Sequence, residues 1–413
     1  MKLLMRSTTG IVFSLLLGMQ GAHAAGFYLS ELGTPSSTGM AGVSNVTNNF
    51  SADAAWTNPA GMTGLSEDSF VVGATVLSGK VEFDSDVATG GGSDGGNAAE
   101  PIFIPSLFYT RVLSEKSRFG LSLVASVGGG VDYGDDFVGR YVVQSVELAG
   151  LALTPSYGYQ VSDKLSIGVG LSFLQSKLDQ EVAINTLPPG ADDGKATFDE
   201  LDDEGFQGIL GLTYQASKKT LIGAVYRTES SIELEGELKV EGTANPIPNQ
   251  DLKIEWDNPQ TLEMGIQHKL SDAKALFVNL GWQDWSAFSE NKLSVKNTGI
   301  SDVTDRNWDD TWLAGVAYAQ KLDDGETFKL GLAYESSPVK DKYRTFDFPV
   351  DEMWRMSAGY SWEGGNKSSY AIGATLTRVG EAAIDQTAQG VRAAGDFDKY
   401  LLLSVGGTWR YLF

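Results

Sequence analysis

The last fourteen residues, Tyr400 to Phe413, alternate with a period of two. Leu401, Leu403, Val405, Gly407, Trp409, Tyr411 and Phe413 share one face, and Tyr400, Leu402, Ser404, Gly406, Thr408, Arg410 and Leu412 share the other. Successive side chains of a strand point to opposite sides. One side is therefore greasy and ends in three aromatics, while the other is mixed, as expected for a strand with lipid on one side and a lumen on the other. After Ala24 no segment approaches the roughly 20 continuous apolar residues that a membrane helix needs. A chain that crosses lipid without such helices must close into a barrel, because an open sheet would leave backbone groups unpaired in hydrocarbon.

The start of the chain sets the destination. Residues 1–24 read as a secretory signal peptide: Lys2 and Arg6 precede the apolar run Ile11–Met19, and Ala22-His23-Ala24 is a small-x-small cleavage site. The aromatic carboxy-terminus resembles the signal by which bacterial outer-membrane proteins are recognised for insertion. The expected location is therefore the bacterial outer membrane. The mature chain keeps 29 of the 31 basic residues against 53 acidic ones, a net of −24. So acidic a chain has no basic face for nucleic acid. It has no cysteine, which excludes disulfides and thiol chemistry.

Fourteen strand-like segments follow residue 68, with cores at 69–80, 103–111, 118–127, 148–161, 165–180, 205–215, 220–238, 252–270, 275–295, 310–322, 327–337, 353–362, 369–378 and 399–413. Their alternation is clear where Phe328, Leu330, Leu332 and Tyr334 oppose Lys329, Gly331, Ala333 and Glu335. Short turns at 113–116, 162–164, 216–219, 271–274, 323–326 and 363–367 alternate with long connections at 81–102, 128–147, 181–204, 239–251, 296–309, 338–352 and 379–398. Outer-membrane barrels have short periplasmic turns and long outside loops. The expected fold is an all-β, 14-stranded antiparallel transmembrane barrel over residues 68–413, with both termini in the periplasm. The long connections carry acids such as Asp192, Asp193, Asp199, Glu200, Asp202, Asp203 and Glu204, expected to be solvated loops, and Gly90–Gly96 is expected to be a flexible loop tip.

Residues 25–67 do not alternate. They are small and glycine-rich, Pro59 interrupts any regular element, and Phe27, Tyr28, Leu32, Met40, Phe50, Trp56 and Met62 are too apolar for a disordered tail. They are expected to form a hatch that fills the lumen. Here the sequence resembles a family. Ala25-Gly-Phe-Tyr-Leu-Ser-Glu31, the hatch motif Asn58-Pro59-Ala60, Tyr226-Arg-Thr-Glu229, Trp285-Ser-Ala-Phe288, Ser337-Pro-Val339 and Trp354-Arg-Met-Ser-Ala-Gly-Tyr360 are similar to the long-chain fatty-acid transporter (FadL) family. The resemblance implies a hatched, single-chain barrel that takes up hydrophobic molecules passively: fatty acids in some members, monoaromatic hydrocarbons in others. It places a kinked third strand and lateral opening near Gly128, Gly129 and Gly130. It sets Lys292 where fatty-acid members have a pocket lysine. The matching arginine, expected near Gln180, is missing, so Lys177 is the substitute or the cargo is uncharged.

The expected cargo is a long-chain fatty acid, with a neutral hydrocarbon as the alternative and a general porin behind both. The expected surroundings are outer-membrane lipid and lipopolysaccharide around a monomer. An enzyme is not expected. His268 is the one histidine left after the leader, which excludes a histidine metal cluster and leaves only an all-oxygen site. No cofactor and no metal are expected.

Overall fold

The computed structural model describes residue 34 and residues 39–186, 192–243, 247–296, 300–322 and 325–413. The signal peptide, the Ala25–Glu31 motif and Leu32 lie outside the described residues. The strands are β1 (Ser69–Ala88), β2 (Ile102–Val112), β3 (Ser117–Asp132), β4 (Ser145–Gln160), β5 (Leu165–Ile184), β6 (Gly194–Ser217), β7 (Thr220–Arg227), β8 (Ser230–Glu241), β9 (Ile247–Asn258), β10 (Thr261–Lys269), β11 (Lys274–Gln283), β12 (Glu290–Val295), β13 (Ile300–Asp305), β14 (Thr311–Lys321), β15 (Thr327–Glu335), β16 (Met353–Gly365), β17 (Ser368–Val379), β18 (Ile384–Ala388) and β19 (Val391–Leu412). Five consecutive pairs (β7–β8, β9–β10, β11–β12, β13–β14 and β17–β18) each continue one staff of the wall across a brief interruption. The nineteen segments therefore make fourteen staves. Neighbours are antiparallel, and β1 closes the cylinder on β19 from Ser69↔Leu412 upward. Closure pairs the first strand with the last, so neither end of the sheet is left as a free edge in lipid.

The wall is apolar outside in its lower part. Val169, Leu171, Leu210, Val316, Ile372, Leu403 and Val405 are exposed, the outward band expected of a barrel in hydrocarbon. Aromatics sit at both ends of that band. Tyr157, Tyr214, Tyr370 and Trp409 lie near the short turns, and Phe173, Phe206, Trp312 and Trp354 lie at the other end.

The strands run further than the alternation suggests. The residues expected as loop acids at Asp199, Glu200, Asp202, Asp203 and Glu204 lie inside β6, and the long connection expected at 296–309 contains β13. The physical reason is solvent. Above the lipid, water replaces hydrocarbon outside the wall, and outward positions such as Asp202 and Glu204 carry charge, while Asp203 has inward parity and accepts from Glu233 N–H at 3.0 Å. Gly90–Gly96 is also tied down, since Arg140 donates to Gly91 O at 3.1 Å and to Gly90 O at 3.2 Å.

Residues 39–65 lie inside the cylinder. They comprise a 3₁₀ turn at Asn45–Thr47, one helical turn α1 (Ala54–Thr57), and a second 3₁₀ turn at Pro59–Gly64. Met40, Val43, Val46, Ala52, Ala54, Ala55, Ala60 and Met62 are buried. The wall makes room for them with inward-facing glycines. A methyl added at Gly331 would overlap the backbone of Met40, one at Gly223 the carbonyl of Val46, one at Gly168 the amide of Ala60, and one at Gly211 the side chain of Asn58. A belt of missing side chains thus seats the hatch against the backbone of the wall.

Candidate functional site: the lumen above the hatch and the wall beside it

Asn58 organises the hatch. Its Oδ1 accepts from Ala60 N–H at 3.1 Å, capping the 3₁₀ turn that Pro59 begins. Its Nδ2 donates to Val46 O at 2.7 Å and to Leu212 O, in the wall, at 3.2 Å. The three residues of the sequence motif, Asn58, Pro59 and Ala60, are therefore one unit that ties two hatch turns to β6. Arg118 Nε adds a tie to Leu65 O at 2.8 Å, and Thr63 Oγ1 one to Ser166 Oγ at 2.8 Å.

Beside the hatch the wall is incomplete. β2 and β3 pair from Val112↔Arg118 up to Ser106↔Val124, and among the described residues no further. β3 continues to Asp132 paired with β4 alone, through Gly128↔Ala149, Gly129↔Leu148 and Gly130↔Glu147. The register slips between Ala125 and Val127, which makes Ser126 the bulged residue. Gly129 has φ 153, a backbone that favours glycine. The break thus begins two residues before the three glycines singled out in the sequence, because a bulge needs only one extra residue in the strand and the glycines then carry the bent strand onward. At the break Ser106 Oγ is buried with no hydrogen-bond partner among the described residues.

Ser126 and Val127 back onto a small cavity of about 50 Å³ directly above the hatch, lined also by Trp56, Leu174, Gln207 and Arg227. Arg227 Nη2 donates to Trp56 O at 2.8 Å, and its guanidinium lies 4.5 Å from the Trp56 ring centre. The sequence singled out the Tyr226-Arg-Thr-Glu229 motif but not this side chain. Inward parity with Val225 and Gly223 was the signal that marks it. The two lysines it did single out are elsewhere. Lys292 points outward from β12, half exposed, and pairs with Glu255 at 3.3 Å. Lys177 points outward from β5 and pairs with Asp179 at 2.7 Å. Neither lines the lumen.

Higher up, the lumen is filled with rings. Phe83, Tyr133, Phe137, Phe346 and Phe397 form one cluster, with Tyr133 stacked on Phe137 at 4.1 Å. Trp256, Trp285, Phe288, Trp308 and Phe348 form a second. Phe346 and Phe348, on the connection between β15 and β16, join the two. That connection is clasped by Arg306, which donates from both Nη atoms to Asp347 at 3.0 and 2.7 Å and from Nε to Asn291 Oδ1 at 2.7 Å. Burial pushes the Asp347 carboxyl up, but the charge and hydrogen bonds of Arg306 outweigh it and hold the group below the usual aspartate range. Burial pushes the Tyr133 phenol well above its ordinary value, and its O–H donates to Phe346 O at 3.1 Å.

Comparisons with known proteins fit this architecture. The family model of outer membrane protein transport proteins (OMPP1/FadL/TodX) matches residues 15–404. The long-chain fatty acid transport protein of Escherichia coli O6:H1 is 23% identical over 394 residues, covering 86% of this chain and 87% of its own. Outer membrane protein P1 of Haemophilus influenzae is 21% identical, covering 90% of this chain and 87% of its own. Among solved structures, a Pseudomonas aeruginosa FadL homologue aligns with a TM-score of 0.85 at 18% identity, covering 94% of this chain and all of that one. The Ralstonia pickettii toluene transporter TbuX aligns at 0.67 and 19% identity, covering 90% of this chain and 97% of that one. At such identities the likeness of structures shows the fold.

Proposed function

The chain belongs to the OMPP1/FadL/TodX family of outer-membrane transport proteins, and from that premise we propose that it takes up long-chain fatty acids passively, inward through the ringed lumen and sideways through the gap between β2 and β3. As a member of that family it is a transporter of hydrophobic compounds in the bacterial outer membrane. The reading of the route rests on one observation: the β2–β3 ladder stops at Ser106↔Val124 beside a cavity that the bulged β3 lines.

Energetics favour the side exit. Each methylene moved from an apolar site into water costs about 0.8 kcal/mol, so releasing an acyl chain of about sixteen carbons into the periplasm would cost on the order of 12 kcal/mol. A gap into the bilayer avoids that step. The axial route is also obstructed, since residues 39–65 and both aromatic clusters occupy the lumen, which argues against a general porin. In this reading Arg227, which shares the lining of the cavity behind the gap with Glu263, is the cation that meets a carboxylate.

The test is to close the gap. Deleting Ser126, or replacing Gly129 with Trp, should abolish uptake of a radiolabelled long-chain fatty acid while the protein still folds as a heat-modifiable barrel. Undiminished uptake in both variants would refute the lateral route. A second reading, neutral aromatic hydrocarbon as cargo, is favoured by the outward direction of Lys177 and Lys292 and by the ring-lined lumen. Native mass spectrometry of co-purifying ligand separates the two. A carboxylated chain lost in Arg227→Gln supports the first, and an uncharged aromatic retained in that variant supports the second.

A further inference from the structure

We propose that the periplasmic mouth of the barrel, beneath the hatch, is a second binding site, for an acyl chain that carries an anionic head. A cavity of about 440 Å³ opens there between the lower ends of β10, β11, β14, β15, β16, β17 and β19, and it is bounded by the short turn at Ser271–Ala273. Its inner side is apolar, with Met40 and Phe50 of the hatch above and Phe277 of β11 beside them. Its outer part is cationic. Lys269, Lys321, Lys329 and Arg410 all occupy lumen-facing positions of their strands, and Lys274 stands at the rim. Five cations meet only two carboxylates, Asp272 and Glu363, in a protein whose mature net charge is −24.

The positive charge is only partly met internally: the charge of Asp53 in the hatch acts on Lys329, and Arg410 donates to Phe50 O at 3.2 Å. Among the described residues Lys269, Lys321 and Lys329 form no ion pair, and Arg410 reaches Glu363 only at 3.6 Å. Two buried polar atoms in this lining, Arg410 Nε and Gln267 Oε1, have no hydrogen-bond partner among the described residues. Buried polar atoms in native proteins are almost always satisfied, and the orphaned Arg410 Nε adds an uncompensated donor just behind this lining. A carboxylate or phosphate group supplies an acceptor and the counter-charge, and the half-buried Phe50, Ala275 and Ala319 supply the surface for the chain behind it. A small inorganic anion would leave the apolar side uncovered, and a neutral lipid would leave the cations unmatched. The head is of one chemistry with two sources: a free fatty carboxylate, or an anionic phospholipid of the inner leaflet. The site lies on the opposite side of the hatch from the β2–β3 gap and depends on neither the cargo nor the route proposed above.

The test uses the mature protein in phosphatidylcholine nanodiscs and a laurate whose tail bears a diazirine. After irradiation, crosslinks are located by peptide mass spectrometry. Labels are expected on the segments containing Met40–Ser51 and Phe277. They should fall about tenfold in Lys321→Gln/Lys329→Gln, a loss equivalent to about 1.4 kcal/mol. They should persist in Lys321→Arg/Lys329→Arg, which keeps the charge and controls for folding. Competition with unlabelled laurate and with lysophosphatidylglycerol identifies the source, and the more potent of the two is the resident class. Equal labelling by the matching uncharged alcohol, labelling unmoved by the Gln pair, or labels confined to the lumen above the hatch would each overturn the proposal. Loss of the lateral route in the Ser126 deletion would leave this labelling unchanged, so the two readings fail separately.

Discussion

Replacing Asn58 with Ala should unseat the hatch and leave the barrel standing. The substitution removes one acceptor and one donor from the interior. Ala60 N–H loses its partner at 3.1 Å, and Val46 O loses its partner at 2.7 Å. Leu212 O, at 3.2 Å, belongs to a wall strand and is the least affected. Each buried group left unsatisfied costs about 1–3 kcal/mol. Two of them, taken near the lower end of that range, destabilise the seated hatch by about 3 kcal/mol. At about 1.4 kcal/mol per tenfold, the unseated population rises roughly a hundredfold. No wall strand loses a ladder bond, so the heat-modified gel shift of the folded barrel should persist. Two measurements read the hatch itself: single-channel conductance in planar bilayers, which should gain frequent openings, and hydrogen exchange across residues 45–65, which should quicken about as much as the unseated population grows. Asn58→Asp keeps the acceptor for Ala60 but turns a carboxylate toward two carbonyls, so it should open at least as often as the Ala variant. Wild-type conductance together with wild-type exchange in Asn58→Ala would show that the motif does not hold the seat.

Three further outcomes follow from the same contacts. Gly331→Leu would drive a side chain into the Met40 backbone, and its leak conductance should rise while its folded yield stays measurable. Arg306→Ala would strand a buried carboxylate at about 3–5 kcal/mol, so hydrogen exchange over residues 341–350 should accelerate while the lower strands stay protected. In the wild type that clasp should weaken in acid. The Asp347 carboxyl is held below its ordinary value, so its contribution is complete above about pH 4 and is lost as the pH falls through the depressed value; tryptophan fluorescence near Trp256, Trp285 and Trp308 should report the loss. Lys292→Ala and Lys177→Ala remove only outward ion pairs that are a third to a half exposed, and uptake assays should find both unchanged.

The staves of the barrel were legible because lipid enforces alternation. Where Leu330 and Leu332 oppose Lys329 and Gly331, only one arrangement keeps charge out of hydrocarbon. The hatch was legible through its composition and through Asn58-Pro59-Ala60. Its seat was not, because a glycine belt made of Gly168, Gly211, Gly223 and Gly331 is spread over strands far apart in sequence and carries no local signature. The bulge at Ser126 was missed by two residues for a related reason: a single extra residue in one strand becomes visible only when the partner strand is aligned beside it. Arg227 sat within a quoted motif and still escaped notice, since its role depends on Trp56, 171 positions earlier.

The misplaced lysines have a more general cause, which is that the polarity of the longer strands inverts along their length. On β5 the outward positions read Ile167, Val169, Leu171 and Phe173, then Gln175, Lys177 and Asp179, while the inward positions pass from Gly168 and Ser172 to Leu174 and Leu178. On β6 the outward positions read Tyr214, Leu212, Leu210 and Phe206, then Glu204 and Asp202. The two changes coincide in space, because Phe173 pairs with Phe206 in register, with their rings 5.2 Å apart. On β4 and β19 the first outward charges, Glu147 and Lys399, follow at the corresponding upper ends. These residues draw the upper limit of the hydrocarbon. From Tyr214 to Phe206 is nine residues, the span a tilted strand needs to cross an apolar band about 25 Å tall. Above that line water lies outside and rings lie inside, so an outward residue is charged and an inward one is apolar. A lysine above the line therefore sits outside unless the strand is interrupted by an odd number of residues. Across Asp284–Ser289 the interruption between β11 and β12 is even, and Lys292 keeps the outward parity of Leu276, Val278 and Leu280. Its direction was thus written in the spacing, and reading it required knowing where the lipid stops.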